Sequence, residues 1–449
     1  MNTSFDRRTF LQAMGLAAGA AAFPGVARAA SEAKRPPNII VLFADDMGYG
    51  DLGCYGHPTI RTPHLDQMAR DGVRMTSFYV AAPVCSPSRA ALLTGRYPVR
   101  CGMPGNTGPG RDTHLPRSEV TMADMLKGAG YRTMCVGKWH LGHQNPDVFP
   151  MGRGFDQWYG LPYSNDMRKP WVQTDIPLKL YRNNEAIEHP VDQNTLTERY
   201  TNEAVKFIQD SGDDPFFLYL AYSMPHLPVR TAERFRGESE AGLYGDVIET
   251  IDWSAGRIRE VLEEQGLAED TLLVFTSDNG PWLDLPDRML QEGNERWHGG
   301  SPGPLRGAKG TTYEGGMRVP MMAVWPGHIP AGTRNAEVAS TMDLLPTFAK
   351  VTGAALPDDR TLDGDNILPV MQGEAESPHE YFYYFRGARL QGVRQDVWKL
   401  RKEDASAETQ LFHLGRDPRE LYNVAEDHPD IVEHLLQRMN AFRREVQEQ

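Results

Sequence analysis

Asn38-Ile39-Ile40-Val41-Leu42-Phe43-Ala44 runs directly into Asp45-Asp46. A short continuous apolar run of this kind is expected of a strand covered on both faces. The pattern returns further along the chain. Residues 131–136, 215–222 (PFFLYLAY), 271–276 (TLLVFT) and 319–325 (VPMMAVW) read as further strands. Helical segments lie between them, at residues 121–127, 243–264 and 341–352. In the second, Val247, Ile248, Ile251, Ile258, Val261 and Leu262 fall at helical spacing. In the third, Pro346 must sit in the first turn or bend the helix. Strands alternating with helices predict an α/β fold, a large mostly parallel sheet flanked by helices on both faces.

From about residue 376 the texture changes. Residues 381–385, 392–401 and 410–414 suggest short antiparallel strands. Residues 430–445 read as an amphipathic helix with Ile431, Leu435, Leu436, Met439 and Phe442 on one side. The expected organisation is a large domain at 36–375 and a small C-terminal α+β subdomain at 376–449.

Composition narrows the functional classes. The chain has 449 residues, 40% hydrophobic and 24% charged, which excludes a mainly disordered protein. No apolar run reaches the roughly 18–20 residues of a membrane span. A formal charge of −13 argues against a general nucleic-acid binder. Four cysteines, Cys54, Cys85, Cys101 and Cys135, do not make a disulfide scaffold.

The first 29 residues read as an address. Arg7-Arg8, a short Gly/Ala-rich apolar stretch to Phe23 and the small-x-small site Ala27-Arg28-Ala29 make a twin-arginine signal peptide. The expected partner is the twin-arginine translocase, and the expected location is periplasmic or secreted. Removing residues 1–29 takes away three arginines and one aspartate and deepens the charge from −13 to −15. Residues 31–37 read as a linker.

In open α/β sheets, ligands bind beyond the carboxyl ends of the strands. Four predicted strands end there in polar groups: Asp45-Asp46, Gly137-Lys138-Trp139-His140, Pro225-His226 and Asp278-Asn279-Gly280. One such end is weak, because an Asp pair is often a turn or a helix cap. Four together predict one site at one edge of the sheet. Asp45, Asp46, Asp278 and Asn279 are hard oxygen donors suited to Ca²⁺ or Mg²⁺. Lys138 and Lys309, with His140 and His226, supply positive charge at the same place. Carboxylates, a divalent cation and lysines describe a pocket for a tetrahedral oxyanion, phosphate or sulfate. Cys85-Ser86-Pro87-Ser88-Arg89-Ala90-Ala91-Leu92-Leu93-Thr94-Gly95-Arg96 supplies the nucleophile candidate. Pro87 suits a first helical turn, which puts Cys85 at a helix start, where free N–H groups favour an anion.

Cys85-x-Pro87-Ser88-Arg89 followed by Leu93-Thr94-Gly95-Arg96 resembles the signature of the formylglycine-dependent type I sulfatases of the alkaline-phosphatase superfamily. A second signature of that family is similar to Gly130-Tyr131-Arg132-Thr133 through Gly137-Lys138-Trp139-His140-Leu141-Gly142. The likeness continues through Pro225-His226, Thr276-Ser277-Asp278-Asn279-Gly280-Pro281 and Lys309-Gly310-Thr311-Thr312-Tyr313-Glu314-Gly315-Gly316. It ends at Leu411-Phe412, Asp417-Pro418-x-Glu420 and Asn423-Val424, so it covers about residues 36–425. The segment Gly160-Leu161-Pro162-Tyr163-Ser164-Asn165-Asp166 leans towards the arylsulfatase A and N-acetylgalactosamine-sulfatase branch.

The resemblance implies an alkaline-phosphatase-like fold and a sulfuric ester hydrolase acting on a sulfated carbohydrate or aryl sulfate. It implies that a maturation enzyme oxidises Cys85 to Cα-formylglycine (3-oxoalanine), whose hydrate is a gem-diol. It implies one Ca²⁺ held by Asp45, Asp46, Asp278, Asn279 and the modified residue 85. Arg89 and Lys138 would steady the nucleophile, with Asp278 as a candidate base for it. Lys309 and His226 would face the ester oxygen, His226 protonating the leaving group, and His140 would take the proton from the second hydroxyl as sulfate leaves.

Two rivals differ in chemistry. A phosphate or phosphonate ester hydrolase of the same superfamily could share this site. A two-zinc phosphatase needs extra Asp/His ligands, and His298 and His328 lie in Gly/Pro-rich contexts that do not supply them. A non-catalytic carbohydrate-binding relative would keep Cys85 unmodified. Substrate choice is expected from rim loops at 101–115, 161–172 and 282–304, which carry Arg111, His114, Arg168, Lys169, Arg288, Arg296, Trp171, Trp282 and Trp297. With Cys85 converted, Cys54, Cys101 and Cys135 allow at most one disulfide.

Overall fold

In the computed structural model, which describes residues 35–447, the opening run is a strand over its whole length, Asn38–Ala44, and every residue of it is buried. Ile39, Val41 and Phe43 enter the apolar core on one side of the sheet, while Ile40, Leu42 and Ala44 enter the core on the other. Both faces are covered, so the run has no polar alternation. Each fully buried aliphatic side chain of this kind contributes about 1.5–3 kcal/mol. The proposed signal peptide lies outside the described residues.

The sheet has ten strands, in the order Thr333–Asn335, Val73–Met75, Met321–Val324, Thr271–Ser277, Asn38–Ala44, Phe216–Ala221, Arg132–Lys138, Gln157–Leu161, Leu180–Arg182 and Glu185–Glu188. The five from Thr271–Ser277 to Gln157–Leu161 are parallel. Met321–Val324 joins them antiparallel, and Leu180–Arg182 and Glu185–Glu188 close the far edge in the same sense. Helix Gly242–Glu264 buries its predicted stripe on one face, beside helix Leu196–Gln209. Helices Cys85–Thr94, Met122–Gly128 and Leu344–Thr352 cover the other. Pro346 sits in the first turn of the last of these, as its ring requires.

Two sequence expectations were too coarse. The run at 319–325 yields only Met321–Val324 as strand, because Pro320 has no N–H to give to a ladder. The run at 392–401 is two strands, Arg389–Gln395 and Trp398–Arg401, with Asp396 turned to φ 50° between them. They pair with Phe382–Arg386 and Gln410–His413 in a four-stranded antiparallel sheet. Helix Pro429–Gln447 packs Leu435, Met439 and Phe442 into the same apolar core, with Phe442 stacked on Tyr383 at 3.8 Å. Cys54, Cys101 and Cys135 are free thiols.

Just before this small sheet, His379 holds Asp343 at 2.8 Å and 2.9 Å. Asp343 also receives the Ser340 N–H in the turn that leads into Leu344–Thr352. Burial opposes the charge on His379, but Asp343 outweighs it and raises the imidazole above its usual range. A histidine raised in the folded state contributes stability that is complete below its unfolded value near 6.5 and fades as pH rises through the folded one. Urea midpoints of the parent should therefore fall between pH 6 and pH 9, while those of His379→Gln should vary less. A parent midpoint that rises over that interval would contradict this pairing.

Candidate active site

The carboxyl ends of the central strands converge as expected. Asp45 follows Asn38–Ala44, and Asp46 takes φ 68°, so the chain turns sharply between two carboxylates. A non-glycine residue in this region costs on the order of 1 kcal/mol, and such strain clusters at functional sites. Cys85 opens the helix Cys85–Thr94, whose ten residues are all buried. Its Sγ lies 3.6 Å from Asp45 Oδ1 and 4.0 Å from Asp46 Oδ1. Burial pushes the thiol far above its ordinary range, against the pull of Lys138 and Lys309. Unmodified, it is a neutral thiol and a poor nucleophile.

Arg89 lies one turn on from Cys85. Its guanidinium holds Asp278 Oδ2 through Nε at 3.1 Å and Nη2 at 2.7 Å, with Asp45 Oδ1 at 3.2 Å. Lys138 ends the strand Arg132–Lys138 and reaches both Asp45 oxygens, at 2.9 Å and 2.7 Å. Gly137 makes this possible. At φ 103° its hydrogen faces the Ala221 carbonyl, where a Cβ would sit 1.8 Å from the oxygen. Lys309 Nζ donates to Asp46 Oδ2 at 2.7 Å.

Burial alone would raise all three aspartates. For Asp45, Lys138, Arg89 and His226 outweigh it and take the carboxyl to about 2. Asp46 is likewise held low, against burial, chiefly by Lys309 and His226. Asp278 stays above the usual range because burial exceeds the effect of Arg89.

The two histidines differ. His140 takes φ 60° just beyond Lys138, and its Nε2 lies 3.0 Å from the Thr107 carbonyl. A carbonyl only accepts, so the proton sits on Nε2 and the lone pair on Nδ1. Burial, then Lys138 and Arg89, presses this imidazole well below its usual range, so it is neutral. His226 Nε2 lies 3.6 Å from Asp46 Oδ2, and its ring leans on Trp282 at 5.6 Å.

All the sequence-predicted site residues meet here: Asp45, Asp46, Cys85, Arg89, Lys138, His140, His226, Asp278, Asn279 and Lys309. One polar group joins them unforeseen. Ser164 Oγ stands 3.3 Å from Lys138 Nζ and 3.4 Å from His226 Nε2. A lone serine in a loop carries no sequence signal of its own; only the Gly160–Asp166 resemblance pointed at this stretch. Of the rim aromatics, Trp282 borders the site, under Lys309 at 4.7 Å, and Trp297 is exposed. Trp171 is instead buried, with Arg168 over its ring. His298 accepts from the Glu295 N–H, and His328 stacks on Trp325. Among the described residues, neither belongs to a cluster of metal-ligating side chains. Among the described residues one such cluster is present, Asp45, Asp46, Cys85 and His226, with ligand atoms within 4.8 Å of one another.

An enclosed thiol, three carboxylates and three fixed cations form a centre for an oxyanion ester, and sequence similarity says which kind. Residues 37–354 match the sulfatase family, and residues 308–445 match the C-terminal region of N-sulphoglucosamine sulphohydrolase. The chain belongs to the sulfatase family and is a hydrolase of sulfuric esters. N-acetylgalactosamine-6-sulfatase of Sus scrofa is 40% identical, over 88% of this chain and 82% of its own. Arylsulfatase A of Homo sapiens is 39% identical, over 90% and 87%. The crystal structure of Ps i-CgsB in complex with k-i-k-neocarrahexaose superimposes with a TM-score of 0.78 at 32% identity, over 91% of this chain and 93% of that one.

Proposed function

We propose that this sulfatase removes sulfate from a sulfated saccharide, with formylglycine at position 85 and one Ca²⁺ in the cluster beside it. The contact of Cys85 with Asp45 and Asp46, inside a ring of Arg89, Lys138 and Lys309, carries the proposal. The thiol sulfur stands in for the oxygens of the hydrated aldehyde.

The residues fit a hard cation. Asp45, Asp46, Asp278 and Asn279 offer oxygen donors. Asn279 Oδ1 is buried and has no hydrogen-bond partner among the described residues, although its Nδ2 donates to Asp46 Oδ1 at 2.7 Å. A buried amide oxygen without a donor is a costly feature that a cation would relieve. The charges also agree. The three carboxylates are balanced by Arg89, Lys138 and Lys309, so a divalent ion leaves the site positive towards an anionic substrate. Bound there, Ca²⁺ would polarise the sulfate group and favour the ionised nucleophile.

The chain's own groups divide the remaining work. Lys138 and Arg89, fixed by Asp45 and Asp278, neutralise charge on the nucleophile oxygen. Ser164 faces the sulfate from the other side, and Lys309 faces the ester oxygen, where it neutralises charge on the departing alcohol. His226, within reach of the leaving oxygen's side of the pocket, gives up a proton to the departing alcohol. His140 is neutral, its Nδ1 has no hydrogen-bond partner among the described residues, and so it is able to accept a proton when sulfate is expelled. The hydrate supplies two geminal hydroxyls: one gives its proton to Asp278 and displaces the alcohol, and the other gives its proton to His140 as sulfate is released and the aldehyde returns. A maturation enzyme that acts on unfolded chain would convert Cys85 before export of the folded protein, directed by the signal at residues 1–29.

The likeness to N-acetylgalactosamine-6-sulfatase and to a structure holding neocarrahexaose favours a saccharide. Purified mature enzyme should be assayed on sulfated mono- and oligosaccharides, beside a matched aryl sulfate and aryl phosphate. Sulfate esters should be preferred by at least ~10²-fold, and a chelator should remove activity that Ca²⁺ restores. Preference for the phosphate would support the phosphatase rival, and chelator-resistant turnover would contradict the metal assignment.

A further inference from the structure

One buried charge cluster is not used by the chemistry above. Lys399 Nζ lies 2.9 Å from Glu314 Oε1 and 2.9 Å from Glu420 Oε1, and all three side chains are fully buried. Lys399 belongs to the C-terminal strand Trp398–Arg401, whereas Glu314 lies five residues after Lys309.

Glu314 is one of three successive residues gripped by the C-terminal part of the chain. The Thr312 hydroxyl donates to Gln391 Oε1 at 3.0 Å and accepts from Arg401 Nε at 3.1 Å. The Tyr313 hydroxyl donates to Gln410 Oε1 at 3.1 Å, and Arg401 lies over its ring at 3.8 Å. The Glu314 N–H donates to Glu420 Oε2 at 2.7 Å. Three strands of the small sheet supply Gln391, Lys399, Arg401 and Gln410.

The grip passes to Lys309 through a stiff loop. The Gly315 N–H closes on the Arg306 carbonyl at 2.7 Å. Gly316 packs so tightly that a Cβ would lie 2.2 Å from the Thr311 carbonyl oxygen. At its tip, the Lys309 N–H donates to the Pro281 carbonyl at 2.9 Å and the Gly310 N–H to the Pro83 carbonyl at 2.8 Å. The loop thereby touches the segments that carry Asp278 and Cys85. Its one charged side chain at the site, Lys309, ends on Asp46 at 2.7 Å.

We infer that the C-terminal sheet is a positioning element for Lys309, acting through Thr312, Tyr313 and Glu314. The inference rests on the proposed role of Lys309 towards the ester oxygen. Loosening the grip leaves Lys309 in the chain but misplaces its charge. The expected signature is a larger loss with a poorly acidic leaving alcohol than with an acidic one, because the cation matters most where the leaving oxygen bears most charge.

The test uses Thr312→Val, which keeps the shape and removes the hydroxyl. Thr312→Ser restores the hydroxyl, and Lys309→Ala is the reference. Each is assayed on nitrophenyl sulfate and on phenyl sulfate. Thr312→Val should lower kcat on phenyl sulfate about tenfold, leave KM within about twofold and change nitrophenyl sulfate little. Thr312→Ser should return close to the parent, and Lys309→Ala should show the same pattern more strongly. Equal losses on both esters, or none, in Thr312→Val beside a leaving-group-dependent Lys309→Ala would overturn the positioning role. Equal losses in Lys309→Ala would instead overturn the role given to Lys309. Should Thr312→Val fail to fold, Gln391→Met removes the acceptor from the sheet side and is read by the same criteria.

Discussion

Cys85→Ser is expected to abolish multiple turnover, lowering kcat by at least ~10⁴-fold, while the protein gains about 80 Da as one sulfate group is retained. The serine fits the site, because Cys85 is a small residue at the start of a fully buried helix. Its hydroxyl would meet the same Asp45, Asp46, Lys138 and Lys309, so the first displacement remains chemically available. Serine has only one oxygen, however. Without a second geminal hydroxyl there is nothing for His140 to deprotonate and no route to expel sulfate. The native thiol fares no better unmodified, since burial keeps it protonated. Intact-mass spectra after exposure to substrate check the retained group, and full multiple turnover by Cys85→Ser would contradict the mechanism.

The second large effect is on stability. Lys399→Met is expected to cost about 3–5 kcal/mol, the range for removing one partner of a buried ion pair. Lys399 lies between Glu314 and Glu420, and burial would raise both carboxyls. For Glu314, Lys399 is the strongest of the cations that overcome burial and bring it to about 2, followed by Arg318 and Arg394. Methionine fills much the same volume but leaves two carboxylates facing each other in a dry core. Urea unfolding measures the loss. Adding Glu420→Gln to Lys399→Met should recover part of it by removing one of the uncompensated charges. A loss below about 1 kcal/mol for Lys399→Met would show that the cluster contributes little to folding.

Much of the site was legible because its parts lie at the ends of apolar runs. Asp45-Asp46, Lys138, His226 and Asp278-Asn279 each follow a buried strand, and the chain order of those strands needed no contact information. The Cys85–Arg96 string was legible as a helix start, but its chemistry rested on resemblance. What escaped depends on contacts between distant segments. Ser164 matters only because folding places it between Lys138 and His226. Trp171 lies in a predicted rim loop, yet it is buried; composition does not say which side of a loop an aromatic ring takes. Helix Leu196–Gln209 has a weak sequence signal, because Leu196, Tyr200, Ala204, Phe207 and Ile208 form a narrow apolar stripe in an otherwise polar stretch. The Glu314–Lys399 pair joins residues 85 positions apart, and no local pattern links them.

The central claim is that residue 85 works as an aldehyde hydrate and not as a cysteine. The most direct measurement is the mass of the tryptic peptide 75–89 from protein produced with a competent maturation system. The expected peptide is about 18 Da lighter than the encoded sequence, the difference between a thiol and the carbonyl formed from it. A peptide carrying only unmodified cysteine, from protein that turns over sulfate esters, would contradict it.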